Sequence, residues 1–189
     1  ILLYDAEIVP VGKDQVQHLE ITRDIASRLN HKIPNSFVLP ETKVDERDMI
    51  IPGTDGQKMS KSYDNFIDIF LPEKKLRKQI MGIQTDSTAL EDPKDSQNCN
   101  VFKIYKLLAT EQQTSEMKKK YELGNFGYGH AKQELFELIC SKFSKEREKF
   151  NYLMDNKEII DKELSLGAEK AKEIANKVLK RVRTNIGYV

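Results

Sequence analysis

Ile8-Val9-Pro10-Val11-Gly12-Lys13-Asp14-Gln15 is the segment on which the architecture turns. A short apolar run closed by glycine has the pattern of a buried parallel strand. Pro10 brings no amide donor, so this strand is expected to be short or locally irregular. Val16, Leu19, Ala26 and Leu29, with Ile25 beside them, then fall on one helical face and predict a helix from about Gln15 to Leu29. Strand, glycine turn and helix start, in that order, make the crevice where α/β sheets bind nucleotides. The turn has two readings. Asp14 with Gln17 three residues on can form an N-terminal capping pair that needs no ligand. Alternatively, a carboxylate at a strand end accepts both ribose hydroxyls, Gly12 admits a sugar or base close to the backbone, and Gln15 holds a polar substrate group. His18 reads as a packing or hydrogen-bonding residue, because no partner nucleophile is evident.

Downstream, Phe37-Val38-Leu39 and Met49-Ile50-Ile51 read as short strands separated by a polar segment from Pro40 to Asp48. Pro52-Gly53-Thr54-Asp55-Gly56-Gln57 leads into a second chemical landmark, Lys58-Met59-Ser60-Lys61-Ser62. Two ammonium groups three residues apart, set among small hydroxyl side chains, can close over a polyphosphate as compact charges on flexible stems. A solvated basic turn explains the same charges. Gly53 and Gly56 bracket the approach and predict a loop able to open and shut.

From Pro72 the character changes to helix. Pro72-Glu73 opens a helix carrying Leu76, Ile80 and Ile83. The stretch from Thr85 to Asn100 is rich in Asp, Ser, Asn and Pro and reads as a loop. Val101 to Ala109 is apolar and helical, and Thr110 with Gln113 resembles a capping pair for a helix through Met117 and Tyr121. After Gly124, Gly127 and Gly129, one long helix is predicted with Ala131, Leu135, Leu138, Phe143, Phe150 and Leu153 on a buried stripe. A short helix near Glu158 follows. A last one, from about Ala168, turns Ala171, Ile174, Ala175, Val178 and Val182 inward. The whole tail reads as an antiparallel bundle, with Phe136, Phe143 and Phe150 as core. Lys118-Lys119-Lys120 and the group Lys170, Lys172, Lys177, Lys180, Arg181 and Arg183 fit solvated helix faces as well as RNA contact.

Composition sets the outer bounds. The 189 residues suffice for one domain or one and a half, 39% hydrophobic and 32% charged. No apolar run approaches the roughly 20 residues of a membrane helix. Two cysteines, Cys99 and Cys140, make neither a disulfide framework nor a zinc site and point to a reducing, cytoplasmic setting. With 31 basic against 30 acidic residues the net charge is +1, so any nucleic-acid contact must rest on local patches. Ile1-Leu2-Leu3-Tyr4 reads as the last turn of a helix entered from upstream, the sign of a piece of a longer polypeptide.

Lys58-Met59-Ser60-Lys61-Ser62 resembles the KMSKS signature of class I aminoacyl-tRNA synthetases. The run from Val9 to Asp24 resembles the second half of the catalytic domain in the bacterial tryptophanyl-tRNA synthetase family, and the likeness covers essentially the whole chain. Tyrosyl-tRNA synthetases usually carry a glycine-rich turn and a phenylalanine-containing lysine loop instead. The resemblance implies an α/β fold, mostly α by residue count. Residues 1–71 would be the C-terminal part of a Rossmann-type catalytic domain, and residues 72–189 an α-helical anticodon-binding domain. It implies Lys58 and Lys61 as catalytic residues. ATP would be bound by Gly12, Lys13, Asp14, Met49, Lys58, Met59, Ser60, Lys61 and Ser62, and the amino acid by Gln15, Val9 and Val11. ATP would be a substrate accompanied by Mg2+, with no dedicated protein metal site. The partners would be tryptophan and tRNA(Trp), and the intact enzyme a homodimer. The family's histidine-glycine motif has no counterpart, since His18, His31 and His130 stand in other contexts. The aspartate that reads the indole N–H would precede Ile1. These 189 residues alone are therefore expected to be inactive. A tyrosyl-tRNA synthetase-like enzyme and a non-catalytic RNA-binding helical module with a vestigial lysine loop are the rival readings.

Overall fold

A computed structural model describes residues 1–44 and 51–188. The chain is mostly helical with one small sheet. It packs as two compact units, Ile1–Met49 with Asn156–Val189, and Ile50–Asp155. By packing, therefore, the Lys58–Ser62 loop goes with the helices that follow it. The last helix goes with the sheet and not with the bundle that its apolar spacing suggested.

In the first unit, β1 (Ile8–Val11) pairs in parallel with β2 (Glu41–Val44), register Ile8 to Glu41 through Val11 to Val44. The connection is α1 (Val16–Lys32), as a parallel pair requires. Two expectations need correction. β1 is parallel and short but not buried, for Ile8 is 60% exposed and Pro10 is exposed, while Val9 and Val11 lie half-buried on the other face. The second strand does not begin at Phe37. Asn30 receives the Phe37 amide at 2.9 Å and donates to the Phe37 carbonyl at 2.7 Å, so a side chain takes the backbone groups a ladder would use. Pairing starts four residues later, where Glu41 N–H meets Glu7 C=O at 2.7 Å and the sequence alternates Glu, Thr, Lys, Val. On α1, Leu19 and Ala26 are buried, Val16 and Leu29 are half-buried, and Ile25 is 55% exposed rather than inward.

The C-terminal helix, α7 (Lys157–Asn185), closes this unit. It packs on the 3-10 turn Leu2–Tyr4, and Arg181 supplies the main polar tie. Its guanidinium meets both Asp5 carboxylate oxygens, at 2.8 and 2.6 Å, and its Nε donates to the Ser36 carbonyl at 3.1 Å. The pairing holds the Asp5 carboxyl below its ordinary pKa, chiefly through the Arg181 hydrogen bond. The sequence reading split this stretch into two helices, yet it is one helix running through Gly167, whose neighbourhood is open. Val178 is buried and Ala171, Ala175 and Val182 are half-buried, whereas Ile174 faces solvent.

The second unit contains α2 (Glu73–Met81), α3 (Asn100–Leu108), α4 (Glu111–Leu123), α5 (Tyr128–Lys142) and α6 (Ser144–Asp155). Leu76, Ile80, Ile83, Val101, Met117, Tyr121, Leu135 and Ile139 belong to one continuous core. Thr110 and Gln113 make the full reciprocal capping box at the start of α4. The predicted long helix is interrupted at Phe143, whose φ of −106° and ψ of 20° leave the helical range. Phe143 and Phe136 pack against the core, while Phe150 turns to stack on Phe70 with ring centroids 4.6 Å apart. Helix carbonyls left open at C-termini are met by cations. Lys132 donates to Met81 at 3.0 Å, and Lys142 donates to Leu108. Buried Lys94 gathers the carbonyls of Ala89, Leu90 and Asp92 and so folds the long loop before α3. No described helix is long and apolar enough to cross a membrane.

Candidate functional site

The two chemical landmarks lie one in each unit. At the carboxyl end of β1 the chain leaves the strand extended at Gly12 and makes a 3-10 turn, Lys13–Gln15, that runs directly into α1. Gly12, Lys13, Asp14 and Gln15 are all exposed. The capping alternative fails here, because neither Gly12 at the 3-10 turn nor Gln15 at α1 is capped by a side chain. Asp14 instead accepts a hydrogen bond from its neighbour, Gln15 Nε2 to Oδ2, at 3.1 Å. Gly12 is matched to that carboxylate, since a Cβ built there would stand 2.8 Å from Asp14 Oδ1. The turn thus offers a carboxylate, a side-chain amide and an uncapped helix start at the carboxyl edge of a parallel strand. Val9 and Val11 share the half-buried face just before it. His18 is exposed on the first turn of α1, so it is not the packing residue expected from the sequence.

The lysine loop is built differently. Residues 51–59 fold back as a narrow turn with an antiparallel bridge from Pro52 to Lys58. Gly53 N–H bonds Gln57 C=O at 2.7 Å, and Met59 N–H bonds Ile51 C=O at 2.8 Å. Inside the turn, Asp55 Oδ1 accepts the Gln57 amide at 2.9 Å. Ser60 then starts a 3-10 turn, Lys61–Tyr63, and its hydroxyl accepts the Ser62 amide at 3.2 Å. Lys58, Lys61 and Ser62 are exposed, while Met59 and Ser60 are half-buried. Neither the Lys58 nor the Lys61 ammonium has an ion-pair or hydrogen-bond partner among the described residues. Two positive charges with no counter-charge among the described residues, on a fixed backbone, are suited to an anion with several oxygens.

What fixes that backbone is Asn65, which the sequence reading passed over. Its amide, 3% exposed, accepts the Ser60 N–H at 2.7 Å and donates to Asp55 Oδ1 at 2.8 Å and to the Lys58 carbonyl at 3.1 Å. Its own carbonyl receives the Thr54 amide at 2.8 Å. The same amide explains Gly53, where a Cβ would come within 2.4 Å of it. Gly56 has a φ of +83° and would press a Cβ within 2.6 Å of the Asn100 side chain. Both glycines answer a local packing need. Asn65 also holds the Asp55 carboxyl below its ordinary pKa. The only prior signal was the crowding of Asp, Asn and Gly around the lysines, which marks turns in general. Met49, the remaining candidate for ATP contact, and the strand proposed around it, up to Ile50, lie outside the described residues.

A model of the family described as tRNA synthetases class I (W and Y) matches residues 1–144. The tryptophan–tRNA ligase of Campylobacter jejuni strain RM1221 is 51% identical over 187 residues, which are 99% of this chain and 59% of that protein. The ligase of the same name from Fusobacterium nucleatum is 48% identical over 190 residues, covering 100% of this chain and 58% of the relative. Among solved structures, tryptophanyl-tRNA synthetase from Campylobacter jejuni complexed with ADP and tryptophan matches with a TM-score of 0.93 at 51% identity, over 99% of this chain and 59% of that one. The enzyme from Mycoplasma pneumoniae matches with a TM-score of 0.61 at 27% identity, over 99% of this chain and 57% of that one. The chain thus spans less than two thirds of the length of these relatives. On the match over residues 1–144, joined to the Lys58–Ser62 signature and the strand-turn-helix whose turn carries Asp14 and Gln15, the chain belongs to the class I tRNA synthetases of the W and Y type.

Proposed function

We propose that this chain works as part of a tryptophan–tRNA ligase, contributing to the site that activates tryptophan with ATP and transfers it to tRNA(Trp). The observation that carries this reading is the lysine loop, in which an ordered backbone presents Lys58 and Lys61 with no internal counter-charge among the described residues. In the first step the tryptophan carboxylate attacks the α-phosphorus of ATP, the bond to the β-phosphate oxygen breaks, and pyrophosphate leaves. Such a displacement asks for positioning and charge stabilisation more than for covalent help. Lys58 and Lys61 hold the charge that grows on the departing pyrophosphate, and Ser60 and Ser62 offer short donors. Asp14 takes the ribose hydroxyls, with Gly12 and Lys13 lining the adenosine and Met49 and Met59 completing the nucleotide contacts. Gln15 orients the amino-acid end of the substrate, with Val9 and Val11 as apolar walls for the indole. Magnesium arrives with ATP as part of the substrate. In the second step a hydroxyl of the terminal ribose of the tRNA attacks the carbonyl carbon of the tryptophanyl-adenylate, an ester bond forms, the anhydride bond to phosphate breaks and AMP leaves.

By function, residues 1–71 are assigned to a Rossmann-type catalytic domain and residues 72–189 to the helical domain that receives the anticodon. This division differs from the packing units, which group α7 with the sheet and the lysine loop with the helices. The enzyme works as a cytoplasmic homodimer. The parallel pair of strands joined by a helix supports the first assignment. The names of the relatives support tryptophan over tyrosine. Because the chain holds no histidine-glycine ATP motif, catalysis requires residues beyond these 189. The test is ATP–pyrophosphate exchange. A polypeptide of the relatives' length carrying this sequence is expected to exchange with tryptophan and not with tyrosine, and the 189 residues alone to show none. Exchange driven by tyrosine, or robust exchange by the short chain, would refute the reading.

A further inference from the structure

We infer that Asn65 and Asp55 form a donor-matched latch that positions the lysine loop, so that a carboxamide at 65 facing a carboxylate at 55 sets where Lys58 and Lys61 stand. The inference rests on the proposal that this loop holds phosphate. It assigns a positioning role to residues outside the pentapeptide signature.

The geometry is a complete accounting of one buried amide. The oxygen of Asn65 takes the Ser60 N–H, and its nitrogen spends both hydrogens, on Asp55 Oδ1 and on the Lys58 carbonyl. The two lysines follow directly from these anchors. Lys58 is held by its own carbonyl, and Lys61 comes one residue after Ser60, in the turn that the Ser60 hydroxyl starts. Asp55 Oδ1 is shared between Asn65 and the Gln57 amide, so the latch joins the two arms of the turn. On the far side, Thr54 accepts the Gln84 amide at 2.8 Å, and Asn100 donates to the Gln84 carbonyl at 3.4 Å. Removing the nitrogen at 65 therefore strands the Lys58 carbonyl and turns an attraction toward Asp55 into repulsion.

The isosteric variant Asn65→Asp exploits that chemistry. It keeps an acceptor for Ser60 but sets two carboxylates against each other, which raises the pKa of one of them. A protonated carboxyl can still donate one hydrogen to its partner, so the Asp55 arm of the latch re-forms in acid and opens as pH rises, while the Lys58 carbonyl stays without its donor. Among the described residues, the charged groups around the site are Asp55, which the amide touches, and Lys58, Lys61 and Asp64 on the loop itself. The residues that meet the turn from the helical side, Gln84 and Asn100, are uncharged.

The experiment uses the 189-residue chain, with amide exchange and tripolyphosphate titration both followed by NMR. Relative to the parent, Asn65→Asp is expected to lower the protection of the Met59 and Ser60 amides at least tenfold at pH 7 and less than threefold at pH 4.5. Adding Asp55→Asn removes the opposing charge but leaves the Lys58 carbonyl without its donor, so protection at pH 7 recovers in part, to a value between those of Asn65→Asp and the parent. Tripolyphosphate affinity at pH 7 falls at least fivefold in Asn65→Asp and recovers in part in the double variant. Unchanged protection, or a loss equal at both pH values, overturns the latch. Weakening by Lys61→Ala without weakening by Asn65→Asp overturns its positioning role. If neither Lys58→Ala nor Lys61→Ala weakens tripolyphosphate binding, the phosphate reading itself has failed, and the protection data still decide the latch.

Discussion

The helical unit and the sheet unit cohere by different means. In the unit Ile50–Asp155 a continuous set of apolar side chains from α2 to α5 is shielded from water, and cations such as Lys132 and Lys94 finish the helix ends and loops. In the unit of β1, α1, β2 and α7 the fully buried apolar side chains among the described residues are few, Leu19, Ala26, Pro40 and Val178 among them, and polar ties from Arg181 and Asn30 do much of the fastening. Apolar cohesion is indifferent to pH and mild salt, whereas ion-pair cohesion is not. The two units should therefore fail under different stresses.

Leu135→Ala gives the largest expected effect. Leu135 is fully buried in α5, and truncation there should cost about 2–5 kcal/mol in denaturant unfolding, with little dependence on pH between 4 and 8. A loss below about 1 kcal/mol would mean that the helical core can collapse into the gap and is less tightly packed than described.

Arg181→Ala probes the other unit and should cost about 1.5 kcal/mol. The figure combines a partly solvent-screened ion pair with the loss of one donor to the Ser36 carbonyl. Its pH dependence sharpens the contrast. Asp5 has a depressed folded-state pKa, so its contribution is complete above the ordinary carboxylate value near 4 and disappears as pH falls through the folded value. The parent should lose this share of stability below about pH 4 and the variant should not. Parallel acid profiles for the two proteins would remove Asp5 from the account.

Gly167→Ala is the smallest change and should stabilise. Gly167 lies inside α7, in a run from 161 to 170 that is exposed throughout, with nothing near the added methyl. Shedding glycine's backbone entropy is worth about 0.5–1 kcal/mol, visible as a rise in the α7 melting transition by circular dichroism. Destabilisation would show that the position meets something in solution that the isolated chain does not reveal.

The elements that could be read ahead of the structure were those decided by local chemistry. Thr110 with Gln113 announced a helix start that the backbone then made, and Pro72-Glu73 announced another. The strand-glycine-helix order around Gly12 was equally plain, because each piece needs only its own residues. What escaped were features settled by distant partners. The strand expected at Phe37 is displaced because Asn30, seven residues away, occupies its backbone. The break at Phe143 and the continuity of α7 through Gly167 both go against local propensity; Phe143 packs on the core, whereas α7 runs through Gly167 with nothing packed there. In the candidate site, Lys58 and Lys61 were visible as charges, but Asn65 was not, since one asparagine among several turn residues looks like any other until its contacts are known.

The central claim is that the loop from Lys58 to Ser62 stabilises charge on the leaving pyrophosphate. Its most direct measurement is tryptophan-dependent ATP–pyrophosphate exchange in a full-length polypeptide carrying Lys61→Ala, with tryptophan affinity determined alongside. The account predicts a fall of about 100-fold or more in the exchange rate, on the scale of losing one preorganised charge contact to a transition state, with tryptophan affinity within about threefold of the parent. Equal losses in rate and in tryptophan affinity would contradict it.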